Sequence, residues 1–387
     1  VRMRVLAACS LGGAGHFQPL LPLLDAARRL GHDTVVVAPP ALAGMVEETG
    51  HDFEAGGEPP EAAVRAMRDQ LPLLSAREAA VLGNRELFGR LATAAMLPPM
   101  ERLMAGWKPD IVLRDPCEYA SAVIAHRSHV AAAQVGLSLA DVEWGSIETA
   151  APALEAHCPG LVEALRRCAY ATRFPASLDP SPFPDTRRLS VSAPDTHRRL
   201  PDWWDGSNAP LIYVSLGTVL GHMSIAADTY RTAIEAVAGI DARALLTVGR
   251  RFDSSQLEPL PSNVHVESWV DQADVLAEAD VVVCHGGSGT TLGALSAGVP
   301  VVVLPLFADQ FVNGQRMAEA GAGVVVDRNR DGDGGRWPLN LDDAPRVSEA
   351  IETVRTHSSY REHAERLALE MAAAPTAELM LDGLLTI

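Results

Sequence analysis

The stretch from Ala279 to Gln310, ADVVVCHGGSGTTLGALSAGVPVVVLPLFADQ, admits few folds. Val281-Val282-Val283-Cys284 is an unbroken apolar run of strand length, the pattern of a strand buried on both faces. His285-Gly286-Gly287-Ser288-Gly289 follows as a turn. Thr290 to Ala297 reads as a helix, with Leu292 and Leu295 three apart and Gly298 as its stop. Pro300 restarts the chain, and Val301 to Leu304 is a second buried strand. Strand, glycine turn, helix and strand in that order make a parallel βαβ unit. The turn of such a unit lies beyond the carboxyl end of its strand, where α/β sheets bind ligands. Glycines let a ligand approach the backbone, and the free N–H groups of the helix start favour an anion.

A glycine-rich turn can equally be a tight connection, so the polar groups around it matter. His285 precedes it, and Ser288, Thr290 and Thr291 add hydroxyls at the helix start. Asp309-Gln310 follows the next strand and belongs at the same sheet edge. A short carboxylate beside a carboxamide suits the hydroxyls of a sugar.

A chain of 387 residues, 48% apolar, is expected to form two globular domains. Its formal charge of −17 argues against a nucleic-acid or anionic-membrane partner. Any bound diphosphate must therefore be held by local groups. Cys9, Cys117, Cys158, Cys168 and Cys284 are scattered and include no Cys-x-x-Cys pair, which suggests neither a disulfide framework nor a zinc site. The expected location is the reducing cytoplasm. VRMRVLAACS runs straight into a strand without a long hydrophobic signal region, and no apolar run reaches membrane-spanning length.

The amino-terminal half opens with a strand from Arg4 to Ser10, the turn LGGAGHFQPL, a helix to about Leu30 and a strand from Thr34 to Ala38. Gly13-Ala14-Gly15 invites a dinucleotide reading. Gln18 stands at the third glycine, however, and no acidic residue closes the second strand to hold a ribose. His16 sits at the helix start, where a capping or surface role and a proton-accepting role are equally open. The helix N-terminus disfavours the imidazolium there. Lys108-Pro109-Asp110 leads into the strand Ile111-Val112-Leu113. Asp110 flanks its start, as a turn residue, and Asp115 its carboxyl end, as either a helix cap or an active-edge carboxylate. Ala62 to Met67 and Glu86 to Met104 are expected helices, and residues 136 to 185 read as loops and short helices.

Leu200 through Pro210 is turn-rich and reads as a linker. The strand Leu211 to Leu216 then ends in Ser215-Leu216-Gly217-Thr218, a phosphate contact or simply a helix cap. Ala244 to Val248 and Val264 to Glu267 are further strands, the second followed by Trp269. Arg346 to Met371 is helical, and PTAELMLDGLLTI is a last amphipathic helix.

HGGSGTT, GVPVVVLP and ADQ, in that order and spacing, resemble the nucleotide-sugar motif of glycosyltransferase family 1. Within it the chain is most similar to bacterial enzymes that glycosylate antibiotics and other natural products, of macrolide and enediyne type. The resemblance implies an α/β fold of the GT-B kind, two Rossmann-like doubly wound domains facing across a cleft. Its expected divisions are an acceptor-binding domain over 1–200, a linker over 201–210, a nucleotide-sugar domain over 211–370, and a helix over 371–387 packing back on the first domain.

The same resemblance implies roles. His16 matches the histidine that serves as general base, and Asp115 the aspartate that orients it. Ser215, Gly217 and Thr218 match a segment near the diphosphate. Trp269 matches the residue stacked on the nucleobase, with Gln272 close behind and Val270 lending backbone groups. His285, Gly287, Ser288, Gly289 and Thr290 fall on the diphosphate, and Asp309 and Gln310 on the sugar.

Two departures stand out. Asp271 occupies a position where many relatives have Pro. Gly293 stands where plant relatives carry a Glu that bonds ribose, which favours a deoxyribose donor, a dTDP-sugar. Asp331-Gly332-Asp333 resembles the metal motif of a different glycosyltransferase fold but lies in a polar, glycine-rich stretch and reads as solvated loop. The implied reaction is inverting transfer of a sugar to a hydroxyl of a hydrophobic natural-product acceptor, with no metal and no cofactor. The helix N-terminus, His285 and hydroxyls would balance the diphosphate. Expected partners are these small molecules, with no nucleic acid and no membrane span, and with a homodimer allowed. A nucleotide-sugar epimerase of the same fold and a non-catalytic nucleotide-binding activator are the rival readings. The second is disfavoured by the presence of both His16 and Asp115. A hydrolase is disfavoured because Thr290 stands at the last glycine of a G-x-S-x-G elbow.

Overall fold

The computed structural model describes residues 2–11, 13–70, 74, 76–190, 198–217, 226–250, 252–306, 308–327 and 339–386. The chain divides into two compact units, Val1–Ser190 with Ala374–Ile387, and Val191–Ala373.

The first unit holds seven strands: β1 (Arg4–Ala8), β2 (Asp33–Ala38), β3 (Asp52–Ala55), β4 (Ile111–Arg114), β5 (Ala131–Val135), β6 (Ala169–Thr172) and β7 (Thr186–Arg188). They pair in parallel in the order β3-β2-β1-β4-β5-β6-β7. The order reverses between β1 and β4, which opens a crevice at their carboxyl ends. Side chains alternate across the sheet with period two. Leu6, Ala8, Val35, Val37 and Val112 pack on one face with Met96, Met100 and Val123. Val5, Ala7, Val36, Ile111 and Leu113 pack on the other with Phe17, Leu20 and Leu24. A sheet covered on both faces needs central strands without polar alternation, and β1, β2 and β4 have almost none, whereas the edge strands β3 and β7 are polar.

Helix Ala377–Leu384 belongs to this unit, with Met380, Leu381 and Leu384 buried in the second of those faces. It lies against helix Leu21–Arg29, and Arg29 donates to Glu378 Oε1 at 2.5 Å.

The second unit holds β8 (Leu211–Ser215), β9 (Arg243–Thr247), β10 (Val264–Glu267), β11 (Val281–Cys284), β12 (Val301–Val303) and β13 (Gly323–Val325). The order is β10-β9-β8-β11-β12-β13, again all parallel. Its reversal lies between β8 and β11. Both units are therefore Rossmann-like doubly wound sheets.

Two expectations need correction. Residues 136 to 185 do not form short irregular pieces. Helix Ala140–His157 runs for 18 residues, followed by helix Leu161–Arg167. Its buried stripe is Ala140, Glu143, Ile147, Ala150 and Leu154. Alanines and a buried carboxylate hide the period in the sequence. The Glu143 carboxyl is tolerated because it accepts N–H from Leu137, Ser138 and Gln134. Burial still lifts it to about 7.

The stretch expected as a linker, 201–210, is packed on the second unit, and the division falls at 190/191 instead. The Trp203 ring stacks on His265 at 4.5 Å, and Trp204 Nε1 donates to the carbonyl of Asn263 at 3.1 Å. Pro, Asp and Gly mark turns, but two adjacent tryptophans need a surface to cover.

Candidate active site

The crevice of the first unit is built from the chain leaving β1 and β4. After β1 the backbone turns at Gly13, which takes φ 72, and begins the short helix Ala14–Phe17. His16 lies in that helix. Asp115 follows β4 directly and is fully buried. Its Oδ2 accepts the Ser10 N–H at 2.5 Å and its Oδ1 the Cys117 N–H at 2.6 Å. His16 Nδ1 lies 3.3 Å from the same Oδ1. Two backbone donors thus fix the carboxylate and compensate its burial. With a proton on Nδ1 facing Asp115, the other ring nitrogen carries no proton and can accept one.

The outer side of His16 is set by two further helices. A π-helical segment, Val81–Ala92, packs on helix Ala140–His157, where a Cβ on Gly89 would lie 3.3 Å from that of Ala150. Asn84 Nδ2 donates to Ser146 Oγ at 3.2 Å. This packing lays the Phe88 ring on the His16 ring, 5.9 Å between centroids at 28°. Asp110, the other carboxylate near β4, accepts the Arg4 N–H at 2.7 Å and serves the opposite edge.

The second crevice lies between β8 and β11. Ser215 ends β8, Gly217 follows, and His285-Gly286-Gly287 follows β11. The His285 ring packs against both glycines. A Cβ on Gly217 would stand 2.8 Å from its Nε2, and one on Gly287 closer still. These glycines are required by the ring beside them as much as by any ligand. Burial pushes the His285 imidazolium down to about 4, against the opposing pull of Asp309. Burial therefore favours the neutral ring at pH 7. It offers a dipole, and its Nδ1 is buried without a hydrogen-bond partner.

Helix Ser288–Ser296 begins two residues earlier than expected, at Ser288. Gly287 caps it with no side-chain hydrogen bond, so its first N–H groups keep their partial positive charge for an anion. Gly289 is exposed, whereas Thr290 and Thr291 are buried. Asp309 Oδ2 takes Ser288 Oγ at 3.4 Å and Asn313 Nδ2 at 3.1 Å. Gln310 is buried, and its Oε1 accepts the Leu306 N–H at 2.8 Å. Thr218, and the Asp331-Gly332-Asp333 stretch, lie outside the described residues.

Trp269, beyond β10, is 55% exposed, which is rare for so large a ring and leaves it able to stack. The Arg250 guanidinium lies 4.9 Å from its centroid. Val270 is half-buried beside it. Asp271 caps helix Gln272–Leu276 by accepting the Ala273 N–H at 3.0 Å, which explains an Asp at that position. Gln272 in turn sets its Oε1 over Gly293.

Residues 231–385 match the model of the erythromycin biosynthesis protein CIII-like C-terminal domain. An L-demethylnoviosyl transferase from Streptomyces niveus is 30% identical, across 99% of this chain and 97% of its own. The chain belongs to the antibiotic-type glycosyltransferases. The glycosyltransferase SnogD from Streptomyces nogalater superposes with a TM-score of 0.75 at 25% identity, covering 100% of this chain and 99% of SnogD. The spinosyn rhamnosyltransferase SpnG, complexed with thymidine diphosphate, superposes at 0.77 and 23% identity, over 99% of this chain and 100% of its own. The fold of the glycosyltransferase is GT-B. Among its described residues no helix is long and apolar enough to cross a membrane.

Sequence reasoning missed several residues of this glycosyltransferase. Asn313 is fully buried and donates to the Gly286 carbonyl at 2.8 Å as well as to Asp309. Its spacing, one helical turn after Asp309, was the available signal. Cys117 follows Asp115 by two positions, and its thiol faces the His16–Asp115 pair. Phe88 and Arg250 reach their positions through packing, and nothing local marks them.

Proposed function

We propose that this glycosyltransferase moves a deoxysugar, with inversion and without a metal, from a dTDP-sugar to a hydroxyl of a hydrophobic natural-product acceptor. The observation that carries this reading is His16 held by the buried Asp115 at the carboxyl edge of the first sheet. His16 removes the acceptor's hydroxyl proton as the oxygen attacks the anomeric carbon. The bond from that carbon to the diphosphate oxygen breaks on the opposite side, which inverts the centre. Asp115 stabilises the imidazolium so formed. Phe88, stacked on His16, supplies an apolar wall for the acceptor.

The departing diphosphate takes its countercharge from the uncapped N-terminus of helix Ser288–Ser296. Ser215, Gly217, His285, Gly287, Ser288, Gly289 and Thr290 surround it, and Thr218 follows in the chain. Asp309, aligned by Asn313, accepts from sugar hydroxyls. Trp269 stacks on the base, with Val270 and Gln272 at its edge. A thymine nucleotide fits the absence of a carboxylate at Gly293, and thymidine diphosphate is the ligand found with SpnG.

The test is thermal unfolding of the protein with dTDP, UDP, GDP and NAD in parallel. A ligand at a hundred times its dissociation constant adds about 2.7 kcal/mol to the folded state, a visible shift of the midpoint. The expected result is a shift with dTDP, then glycosylated product from a panel of dTDP-deoxysugars and polyketide acceptors. A shift with UDP alone would overturn the deoxyribose assignment. No shift with any nucleotide would overturn the donor site.

A further inference from the structure

Among the described residues one group of side chains can converge on a metal ion: His16, Asp115 and Cys117, with one ligand atom from each lying within 4.8 Å of the others. We propose that these three form an inhibitory Zn²⁺ site, which switches the enzyme off by capturing its base. The inhibitory part rests on the reading of His16 given above, while the metal site itself does not.

The donor set selects the ion. Imidazole nitrogen, carboxylate oxygen and thiolate sulfur together suit Zn²⁺, whereas Mg²⁺ and Ca²⁺ call for oxygen alone. Three protein ligands leave a fourth tetrahedral position for water, as in open zinc sites. Asp115 is the fixed member, buried and tied to two backbone N–H groups. One of those donors belongs to Cys117, so the bond at 2.6 Å anchors the thiol's own backbone beside the carboxylate.

The fit needs little movement. Tetrahedral bonds of about 2.0–2.3 Å place ligand atoms roughly 3.5 Å apart, so the set must contract by about 1 Å. His16 and Cys117 can supply it, since both are only half-buried, one on a four-residue helix and the other in a turn. Cys9, the other thiol near Asp115, is fully buried and does not belong to the group that converges.

Either mode of capture disables the base. If Zn²⁺ takes the nitrogen without a proton, the acceptor's hydroxyl has nothing to give its proton to. If it takes Nδ1, the ring proton moves to the other nitrogen and the orienting bond to Asp115 is lost. In both cases the Cys117 thiol releases one proton to solvent as the S–Zn bond forms.

The experiment uses the full chain without a polyhistidine tag, stripped with EDTA and desalted. Zn²⁺ is titrated against a chromophoric chelator, and Co²⁺ is added separately as a spectroscopic probe. The expected result is one equivalent of Zn²⁺ bound, a thiolate-to-Co²⁺ charge-transfer band, and loss of turnover that EDTA reverses. Cys117→Ser and His16→Gln should each weaken the metal at least about tenfold, since even outer partners of a metal site cost that much. Cys117→Ser should also lose the cobalt band and need correspondingly more Zn²⁺ for inhibition relative to its own uninhibited rate. Absence of stoichiometric binding, or binding unchanged in both variants, would overturn the site. Binding without loss of turnover would overturn the inhibitory role and count against His16 as the base. Failure of dTDP to bind would bear on the donor reading alone.

Discussion

Gln272 holds its Oε1 so near Gly293 that a Cβ added there would stand 2.8 Å from it. The two residues come from neighbouring helices of the second unit, and the missing side chain of one makes room for the other. Gly293→Glu would push the amide end of Gln272 aside and bring a carboxylate to the position that the resemblance matches to the ribose-bonding Glu of plant relatives. A hydrogen bond to a charged group nets about 1.5 kcal/mol, so the affinity for UDP should rise roughly tenfold relative to dTDP. Calorimetry with both nucleotides measures the ratio. An unchanged ratio would remove this position from the nucleoside site.

His16→Ala should lower kcat by about a hundred- to ten-thousand-fold, the usual contribution of a general base, and leave dTDP affinity intact. Asp115→Asn should share that loss and add a second. One face of the amide would present N–H to the N–H of Ser10 or Cys117, and a buried unsatisfied donor costs about 1–3 kcal/mol of stability. Turnover together with urea unfolding separates the two effects. Wild-type stability in the Asp115→Asn enzyme would mean that the carboxylate is less tightly held than these distances require.

The acid limb of stability should carry the signature of His285. Its imidazolium is lowered to about 4 in the folded chain, against about 6.5 when unfolded. Between these values the unfolded state binds more protons, so stability falls as pH falls through that window. The loss should reach on the order of 3 kcal/mol by pH 4, and His285→Gln should flatten that limb. Denaturant unfolding from pH 7 to pH 4 provides the check. Parallel curves for the two proteins would show that the ring is hydrated rather than buried.

Asn313→Ala should remove the donors that hold the Gly286 carbonyl and Asp309 Oδ2. It should cost about 1–3 kcal/mol of stability and raise the donor KM more than it lowers kcat. Steady-state kinetics with varied donor decides this. An unaltered donor KM would separate Asn313 from the donor site.

Leu381→Ala tests the return of the chain's last helix to the first unit. Leu381 is fully buried with Phe17 and Leu24, and its truncation should cost about 2–5 kcal/mol. The loss should appear in unfolding of the first unit, with dTDP affinity unchanged. Wild-type stability in the Leu381→Ala protein would mean that this side chain does not pack in the core of the first unit.

Much of the frame was legible because covered parallel sheets leave a plain mark. Val281–Cys284 stands where its apolar run placed it, and Val264–Glu267 is a strand as expected. His16 and Asp115 were legible as residues just past strand ends, and a parallel sheet brings such residues to one edge. The long helix Ala140–His157 was not, since small alanines and a buried Glu143 break its period. Nor was the bond that Gln310 Oε1 accepts from the Leu306 N–H, because a carboxamide's place in the sequence does not show which donor it will meet.

The doubly wound arrangement entered through the family resemblance; by itself the sequence determined the local matters, that β1, β2, β4 and β8 to β12 are strands and where turns end them. These follow from side-chain periodicity and turn chemistry, which act over a few residues. Only the tertiary structure decided which side chains share a bond. Asp115 meets His16 across 99 positions of chain because β1 and β4 are neighbours. Phe88 reaches His16 because Gly89 lets two helices close on one another, and His285 is neutral because β8 and β11 bury it between glycines. Burial and distance are properties of packing, and packing sums over residues that the local sequence does not contain.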